Sequence, residues 1–438
     1  MNVILFHRDL RLHDHKPLLE ALQFGELLPL YVVEPSYWKR NDVSARHFQF
    51  VLESLEDLSI QFEKRGGKLF TFIGEIEEAL DILLKTYGAF RLFYYEENRT
   101  KEEIKRNKRI LHWMDKNTLP YTTFIHQAYF KDIDNSREYK KKWKEFIYED
   151  IYGVPEIINT ATHFPKSFQT ELSELYSFRV HGEKIRFGLK GGESVAIDTF
   201  DSFLQSMDKR KSTELMDVTR FSSKLSPYLT WGNLSIRYVV QKTEEFQSKA
   251  TQTFVKKLYE RSMISCFYQP EEIHTSGENV EIISKWINGM TGIPIIDAIM
   301  RYIGKTGWIH HEARLATVSF IKDLAGVHPQ EFGPKLAQLF LDYEPSIHYN
   351  YLNKRGKIIH PITFSKKHDP NGEFIRRQVH ELKNVPTNYI HEPWLYPGFF
   401  NLHYPSPLFD LYKAFKKVRR ESISQKQEQN EQLKFHFD

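Results

Sequence analysis

The sequence predicts two architectures in one chain: an α/β domain at the N-terminus, built on a doubly wound parallel sheet, joined to an all-α domain at the C-terminal end. Three observations predict them. Over residues 1–125 short apolar runs alternate with amphipathic stretches, the signature of successive β-α-β units. From about residue 195 the apolar residues recur with helical spacing instead. A length of 438 residues with 41% apolar content and 14% aromatics is enough for two or three separate cores.

In order along the chain, strands are expected at Val3–Phe6, Leu28–Val33, Lys68–Ile73, Phe90–Tyr95 and Tyr121–Ile125. Between them, a helix from about Ser44 has that serine as N-cap and Phe48, Val51, Leu52 and Leu55 on one face. The Gly66-Gly67 pair stops it. No G-x-G-x-x-G or P-loop string follows any strand, so the usual nucleotide fingerprint of this architecture is missing. Residues 126–200 are irregular, with charged Lys140–Glu145, Pro155, Pro165 and Gly191-Gly192, and read as a connector containing some helix. Helices are then expected at Ala196–Met207, Ser235–Gln247, Phe254–Phe267, Pro294–Ile303 and His310–Leu324. The expected division is 1–128 for the α/β domain, 129–200 for the connector, 201–414 for the helical domain and 415–438 for a charged, Gln-rich tail.

No window approaches the roughly 18 uninterrupted apolar residues of a membrane span, and His7, Arg8 and Asp9 arrive too early for a secretory signal. A cytoplasmic protein without a membrane partner is expected. The single cysteine, Cys266, allows no internal disulfide, iron–sulfur cluster or cysteine-based zinc site, so redox chemistry requires a bound cofactor. The net charge is +4. Basic clusters at Lys256-Lys257, Arg261, Lys354-Arg355-Lys357, Lys366-Lys367, Arg376-Arg377 and Arg419-Arg420 all fall in the second half. They permit an anionic partner, although each alone also suits a solvated helix face.

Several short strings bear on chemistry. His7-Arg8-Asp9-Leu10 looks like a kinase catalytic loop but ends the first strand, with no Gly-rich loop or upstream lysine. His310-His311-Glu312 is not H-E-x-x-H, because Leu315 stands four residues after His311, and no metal is expected. Ser222-Ser223-Lys224-Leu225-Ser226-Pro227-Tyr228-Leu229 combines hydroxyls, backbone N–H groups and a lysine that together can receive a pyrophosphate. A capped helix start is the competing reading. Arg301 follows Trp286–Pro294 on a helix and is a candidate partner for Asp342 or Glu344, as a pocket-lining pair or as a structural salt bridge.

In order, Phe6–Leu12, Ser223–Gly232, Trp286–Arg301, Thr306–His310, Asp369–Arg377 and His391–Trp394 resemble the photolyase/cryptochrome superfamily over nearly the whole chain. Asp342-Tyr343-Glu344-Pro345-Ser346-Ile347-His348 is similar to the D-Y-E-P-G-I-H form of short photolyase-like and iron–sulfur bacterial branches. The lone cysteine leaves the short photolyase-like branch. The resemblance implies a helical FAD-binding domain, with the phosphate-binding segment on Ser222, Ser223, Lys224, Leu225 and Ser226. It places Arg261, Trp308, Tyr343 and Glu344 at the cofactor, and Arg314 and Asp342 as the salt-bridged pair against the flavin. His311 replaces the family's usual Asn. His348 faces flavin N5, where a side chain tunes redox and protonation state, and His311 and His348 are the expected catalytic residues.

The implied activity is that of a blue-light DNA photolyase: excited reduced flavin passes an electron to a pyrimidine dimer flipped out of damaged DNA, the ring splits, and the electron returns. Lys256, Lys257, Arg376 and Arg377 are the candidates for DNA phosphates. Whether the DNA is single- or double-stranded stays open; a monomer is expected, and some members carry a second antenna chromophore of folate or deazaflavin type. A cryptochrome-like sensor without repair activity is the alternative, and the departures from the pattern motivate it. Glu260 stands where the family commonly has a lesion-stacking Trp, and Glu312 where it has Arg. The relay tryptophans are replaced near Ser276, His328 and Leu352, leaving Tyr343, Tyr349 and Tyr351 as candidate carriers, and Tyr349–Pro361 is shorter than in relatives.

Overall fold

The computed structural model describes residues 1–97, 100–170, 172–207, 214–220, 222–268, 277–354 and 358–421. By backbone proximity the chain forms two units. The first comprises Met1–Lys209, Ser223–Glu272 and Ala337–Tyr351; the second comprises Arg210–Ser222, Ile273–Leu336 and Leu352–Asp438. Among the described residues no helix is long and apolar enough to cross a membrane.

The first unit is built on β1 (Asn2–Phe6), β2 (Leu27–Val33), β3 (Phe70–Ile73), β4 (Arg91–Glu96) and β5 (Tyr121–Ile125), all parallel in the order β3-β2-β1-β4-β5. In the register, Val3 faces Leu28 on one side and Leu92 on the other. The chain reverses direction across β1, which creates the crevice that doubly wound sheets use for ligands. β2 is buried at every position, as a strand covered on both faces should be. β3 starts two residues later than the sequence suggests, because the Lys68 N–H donates to Thr160 Oγ1 at 3.0 Å instead of joining the ladder.

Helices α1 (Lys16–Leu22), α2 (Ala45–Glu63), α3 (Ile76–Tyr87) and α4 (Lys101–Lys116) cover the sheet. The predicted cap holds for α2: the Ser44 N–H donates to His47 Nδ1 at 3.0 Å. Its face buries Phe48, Val51, Leu52, Leu55 and Leu58, each contributing about 1.5–3 kcal/mol. Within the expected connector lies α5 (Ser136–Ile147), capped by Asn135 Oδ1, which accepts from the N–H groups of Arg137 and Glu138. α6 (Glu193–Ser206) follows. Glu193 at its start accepts from the Leu12 and His13 N–H groups at 2.8 and 2.9 Å, and burial pushes its carboxyl up to about 7.

The same unit contains α7 (Ser226–Thr230), α8 (Ile236–Glu244) and α9 (Lys249–Phe267). α9 begins five residues before the apolar pattern does, because Ser248 and Thr251 form a capping box. Gly232, at φ 70°, lets the chain pass so close that a Cβ there would lie 1.9 Å from the Arg8 carbonyl oxygen.

The second unit is helical: α10 (Val280–Ile287), α11 (Pro294–Thr306), α12 (His311–Ser319), α13 (Pro361–His368) and α14 (Glu373–Gln378). Buried Asp297 braces the entry to α11, accepting from the Thr291 N–H and hydroxyl, the Gly292 N–H and Tyr404 OH. Left-handed Gly307 ends that helix. The expected single helix His310–Leu324 changes to a π-helical turn over Phe320–Leu324, where the Ala325 N–H reaches the Phe320 carbonyl at 2.9 Å. Arg355, Lys357, Ser276 and residues 422–438 of the tail lie outside the described residues.

Candidate functional site

The run leading to Asp342-Tyr343-Glu344 has little regular structure, so its carbonyls need partners from elsewhere in the fold. Five consecutive ones find side-chain donors within the first unit. Ser44 Oγ donates to Gln338 O at 2.7 Å, Arg46 Nη1 to Leu339 O at 3.1 Å and His47 Nε2 to Phe340 O at 2.7 Å. Trp231 Nε1 donates to Leu341 O at 2.9 Å and Thr230 Oγ1 to Asp342 O at 3.4 Å. Burial holds His47 down to about 4, so the ring is neutral, accepting at Nδ1 and donating at Nε2. The N-terminus of α2 and the C-terminus of α7 together therefore fix this loop.

Glu344, 1% exposed, is the centre of a small polar cluster. Its carboxylate accepts from Tyr129 OH at 2.7 Å, from Ser265 Oγ at 2.6 Å and from Arg261 Nη2. The same Arg261 nitrogen also donates to Thr230 Oγ1 at 2.9 Å. Arg261 and Glu344, both assigned to the cofactor pocket from the sequence, are thus a pair. Arg301, expected opposite Asp342 or Glu344, makes a bidentate bridge to Glu381 instead, at 2.7 and 2.9 Å. The planar guanidinium fork matches that carboxylate, and Glu344 is already held by donors from α9.

Tyr343 is buried, and its hydroxyl donates to Asp42 Oδ2 at 2.7 Å. Burial opposes the charge on Asp42, but Arg40 and the Tyr343 hydroxyl hold its carboxyl below the ordinary range. The ring of His348 lies edge-on between Tyr343 and Tyr349, with centroids 5.2 and 5.1 Å away. Two of the three candidate tyrosine carriers thus flank the residue expected at the flavin. Of the positions where relatives have relay tryptophans, His328 lies ahead of the helix Pro329–Ala337 and Leu352 is buried.

The Ser222–Ser226 segment enters α7 through a left-handed residue, Lys224, at φ 55°. Leu225 then returns to the right-handed helical region. This alternation turns successive N–H groups toward one side, forming a nest for an anion. The Lys224 side chain is partly buried, and burial lowers its pKa. It makes no hydrogen bond or ion pair among the described residues. A desolvated cation beside a nest is the chemistry that a pyrophosphate requires, so the residues fit the group that the sequence assigns to them. Ser226 is the first residue of α7 rather than its cap.

In the second unit, Trp308, His311 and Arg314 follow one another around the start of α12. Trp308 is buried, His311 is exposed at the first turn, and Arg314 Nε donates to Ile309 O at 3.0 Å. Of the phosphate candidates, Lys256 and Lys257 are exposed on α9, and Lys256 lies 3.8 Å from Glu260. The guanidinium of Arg376 is occupied by the carbonyls of Asn371 and Val385 and by Thr387, whereas Arg377 is exposed. The contributions of His47, Trp231, Tyr129 and Ser265 carry no sequence signal, because each acts on a segment far along the chain.

Residues 2–144 match the family described as DNA photolyase, and residues 229–423 match the FAD binding domain of DNA photolyase. The chain belongs to the photolyase/cryptochrome superfamily. Within it, the chain is 27% identical over 472 residues to a deoxyribodipyrimidine photo-lyase of Alkalihalophilus pseudofirmus, covering 95% of this chain and 97% of that one. It is 26% identical over 483 residues to cryptochrome-2 of Gallus gallus, covering 92% and 79%. A crystal structure of a bacterial class III photolyase from Agrobacterium tumefaciens matches with a TM-score of 0.82 at 21% identity, covering 97% and 98%. That last likeness is one of fold. The match to the FAD binding domain of DNA photolyase begins at residue 229, just after the Ser222–Ser226 segment.

Proposed function

We propose that this protein is a blue-light-dependent DNA photolyase that splits pyrimidine dimers with FAD. The observation that carries the reading is Lys224: a partly buried cation without a counter-charge among the described residues, beside a backbone nest, at the segment where the family binds the FAD pyrophosphate. When bound, reduced FAD supplies light-driven electron transfer to the lesion and takes the electron back after the ring opens.

The chain's own residues hold and orient. Ser223, Lys224, Leu225 and Ser226, with Ser222 ahead of them, offer hydroxyls, N–H groups and one positive charge to the pyrophosphate. The Arg261–Glu344 pair keeps a largely buried cation and a buried anion in fixed positions, so that neither reorganises when charge moves nearby. Tyr343 and Tyr349 fix the plane of His348, the residue assigned to flavin N5. Trp308, His311, Arg314 and Asp342 are the remaining residues that the family resemblance assigns to the cofactor. Lys257 and Arg377, exposed and basic, suit the phosphates flanking a lesion in damaged DNA.

Reduced, flavin-loaded protein mixed with dimer-containing oligonucleotides is expected to remove dimers under blue light and not in the dark. No light-dependent loss on single or double strands would overturn the reading. A second reading, a cryptochrome-like sensor, is favoured by one observation: exposed Glu260 puts a carboxylate beside Arg261. It predicts a light-driven change in oligomeric state or partner binding with dimers left intact.

A further inference from the structure

We propose that the groove between α5 and α9 binds single-stranded nucleic acid, through residues that play no part in the assigned flavin pocket. The groove has a volume of about 710 Å³, within the range of small-ligand sites and large enough for one or two nucleotides. Trp143, Tyr259 and Phe246 supply its aromatic surface, and Lys140, Lys144 and Lys256 its charge.

The sequence produces this arrangement by helical spacing. On α5, Tyr139, Trp143 and Ile147 recur every fourth residue and turn inward, so Lys140 and Lys144, offset by one position, run beside them at the surface. Trp143 packs edge-on against Tyr259 of α9, with centroids 5.2 Å apart at 89°. Phe246, in the turn between α8 and α9, keeps 45% of its surface exposed. An aromatic ring left this open beside lysines offers a stacking face.

Two further facts point to an anionic, ring-bearing ligand. Trp143 is only 5% exposed, and its indole N–H has no acceptor among the described residues, a donor that a ligand oxygen entering the groove would satisfy. The one acid lining the groove, Glu244, already accepts from Tyr148 OH at 3.0 and 3.1 Å. Lysine charge with sequence-tolerant stacking is the recognition chemistry of single strands, whereas a duplex keeps its base faces stacked away from such a surface. The photolyase reading explains why such a strand is present, but the binding itself needs neither light nor flavin.

The test uses the full chain and a short fluorescein-labelled oligothymidylate without any lesion, followed by fluorescence anisotropy in the dark. Saturable binding is expected, with log affinity falling against log salt with a slope of about −2 if three lysines each meet a phosphate of a single strand. Phe246→Ala should weaken binding about tenfold and Phe246→Tyr should restore it, as loss and return of one stacking face. Lys140→Gln with Lys144→Gln should flatten the salt slope to about −0.7, leaving Lys256 alone. All these side chains are exposed, so far-UV circular dichroism should be unchanged. If the double variant does not fold, the Phe246 pair decides.

Wild-type affinity in Phe246→Ala, equal affinity for a duplex of the same length, or preference for an acidic aromatic peptide over the oligonucleotide would overturn the inference. A protein that binds the oligonucleotide as described but removes no dimers keeps this inference and loses the photolyase reading. One that removes dimers while its groove variants bind like wild type does the reverse.

Discussion

His47 of α2 donates from Nε2 to the carbonyl of Phe340, 2.7 Å away, and so ties a helix of the sheet to the chain entering Asp342, Tyr343 and Glu344. The bond that Nδ1 accepts from the Ser44 N–H requires a neutral ring, and burial holds the imidazole to about 4 against an ordinary 6.5. A base with a lowered folded pKa gives stability that is present above pH 6.5 and lost as pH falls toward about 4. The loss at the end of that window is about 3 kcal/mol. Thermal melts between pH 7 and 4 should show this decline, and His47→Gln, which retains a donor, should weaken it.

Glu344 is the common acceptor for Arg261, Tyr129 and Ser265. Glu344→Ala leaves a largely buried guanidinium and two hydroxyls without it, and should lower stability by about 3 kcal/mol. The measurement is the shift of the urea midpoint. Glu344→Gln, keeping one carbonyl oxygen, should lose less, and flavin retention on desalting should fall in the same order.

Lys224→Asn separates charge from backbone, because Asn tolerates the left-handed conformation at φ 55°. With one charge-assisted contact to the pyrophosphate removed, FAD affinity should fall about tenfold or more while far-UV circular dichroism stays the same. Titration of the apoprotein with FAD measures it. Unchanged affinity would remove Lys224 from the site.

Glu193 gives the opposite pH slope. Burial raises its carboxyl from 4.5 to about 7, so its contribution is full below pH 4.5 and is lost as pH rises through 7. Glu193→Gln should flatten the stability curve between pH 5 and 8. It should also be less stable than wild type at pH 5, since one oxygen cannot serve the Leu12 N–H, the His13 N–H and the Gln61 amide together.

The sheet was legible in the sequence because its signal is local. Apolar runs such as Leu28–Val33 differ in period from the helices between them, and the five strands fall within one or two residues of expectation. Helix ends set by side chains were less so: the Ser248–Thr251 box starts α9 ahead of its apolar pattern, and the π-helical turn after Ser319 leaves no periodic mark. The least legible part was pairing. The sequence offers Arg301 to Asp342 or Glu344 and leaves Arg261 without a partner, and only the fold gives Arg301 to Glu381 and Arg261 to Glu344. The carbonyl partners of residues 338–342 come from positions 44–47 and 230–231, separations over which no motif carries information.

The flavin site is the claim on which the rest stands, and a visible absorption spectrum of the purified protein tests it most directly. Flavin bands in the blue, released on denaturation as FAD and diminished in Lys224→Asn, are the predicted result. A colourless protein that stays colourless after incubation with FAD would contradict it.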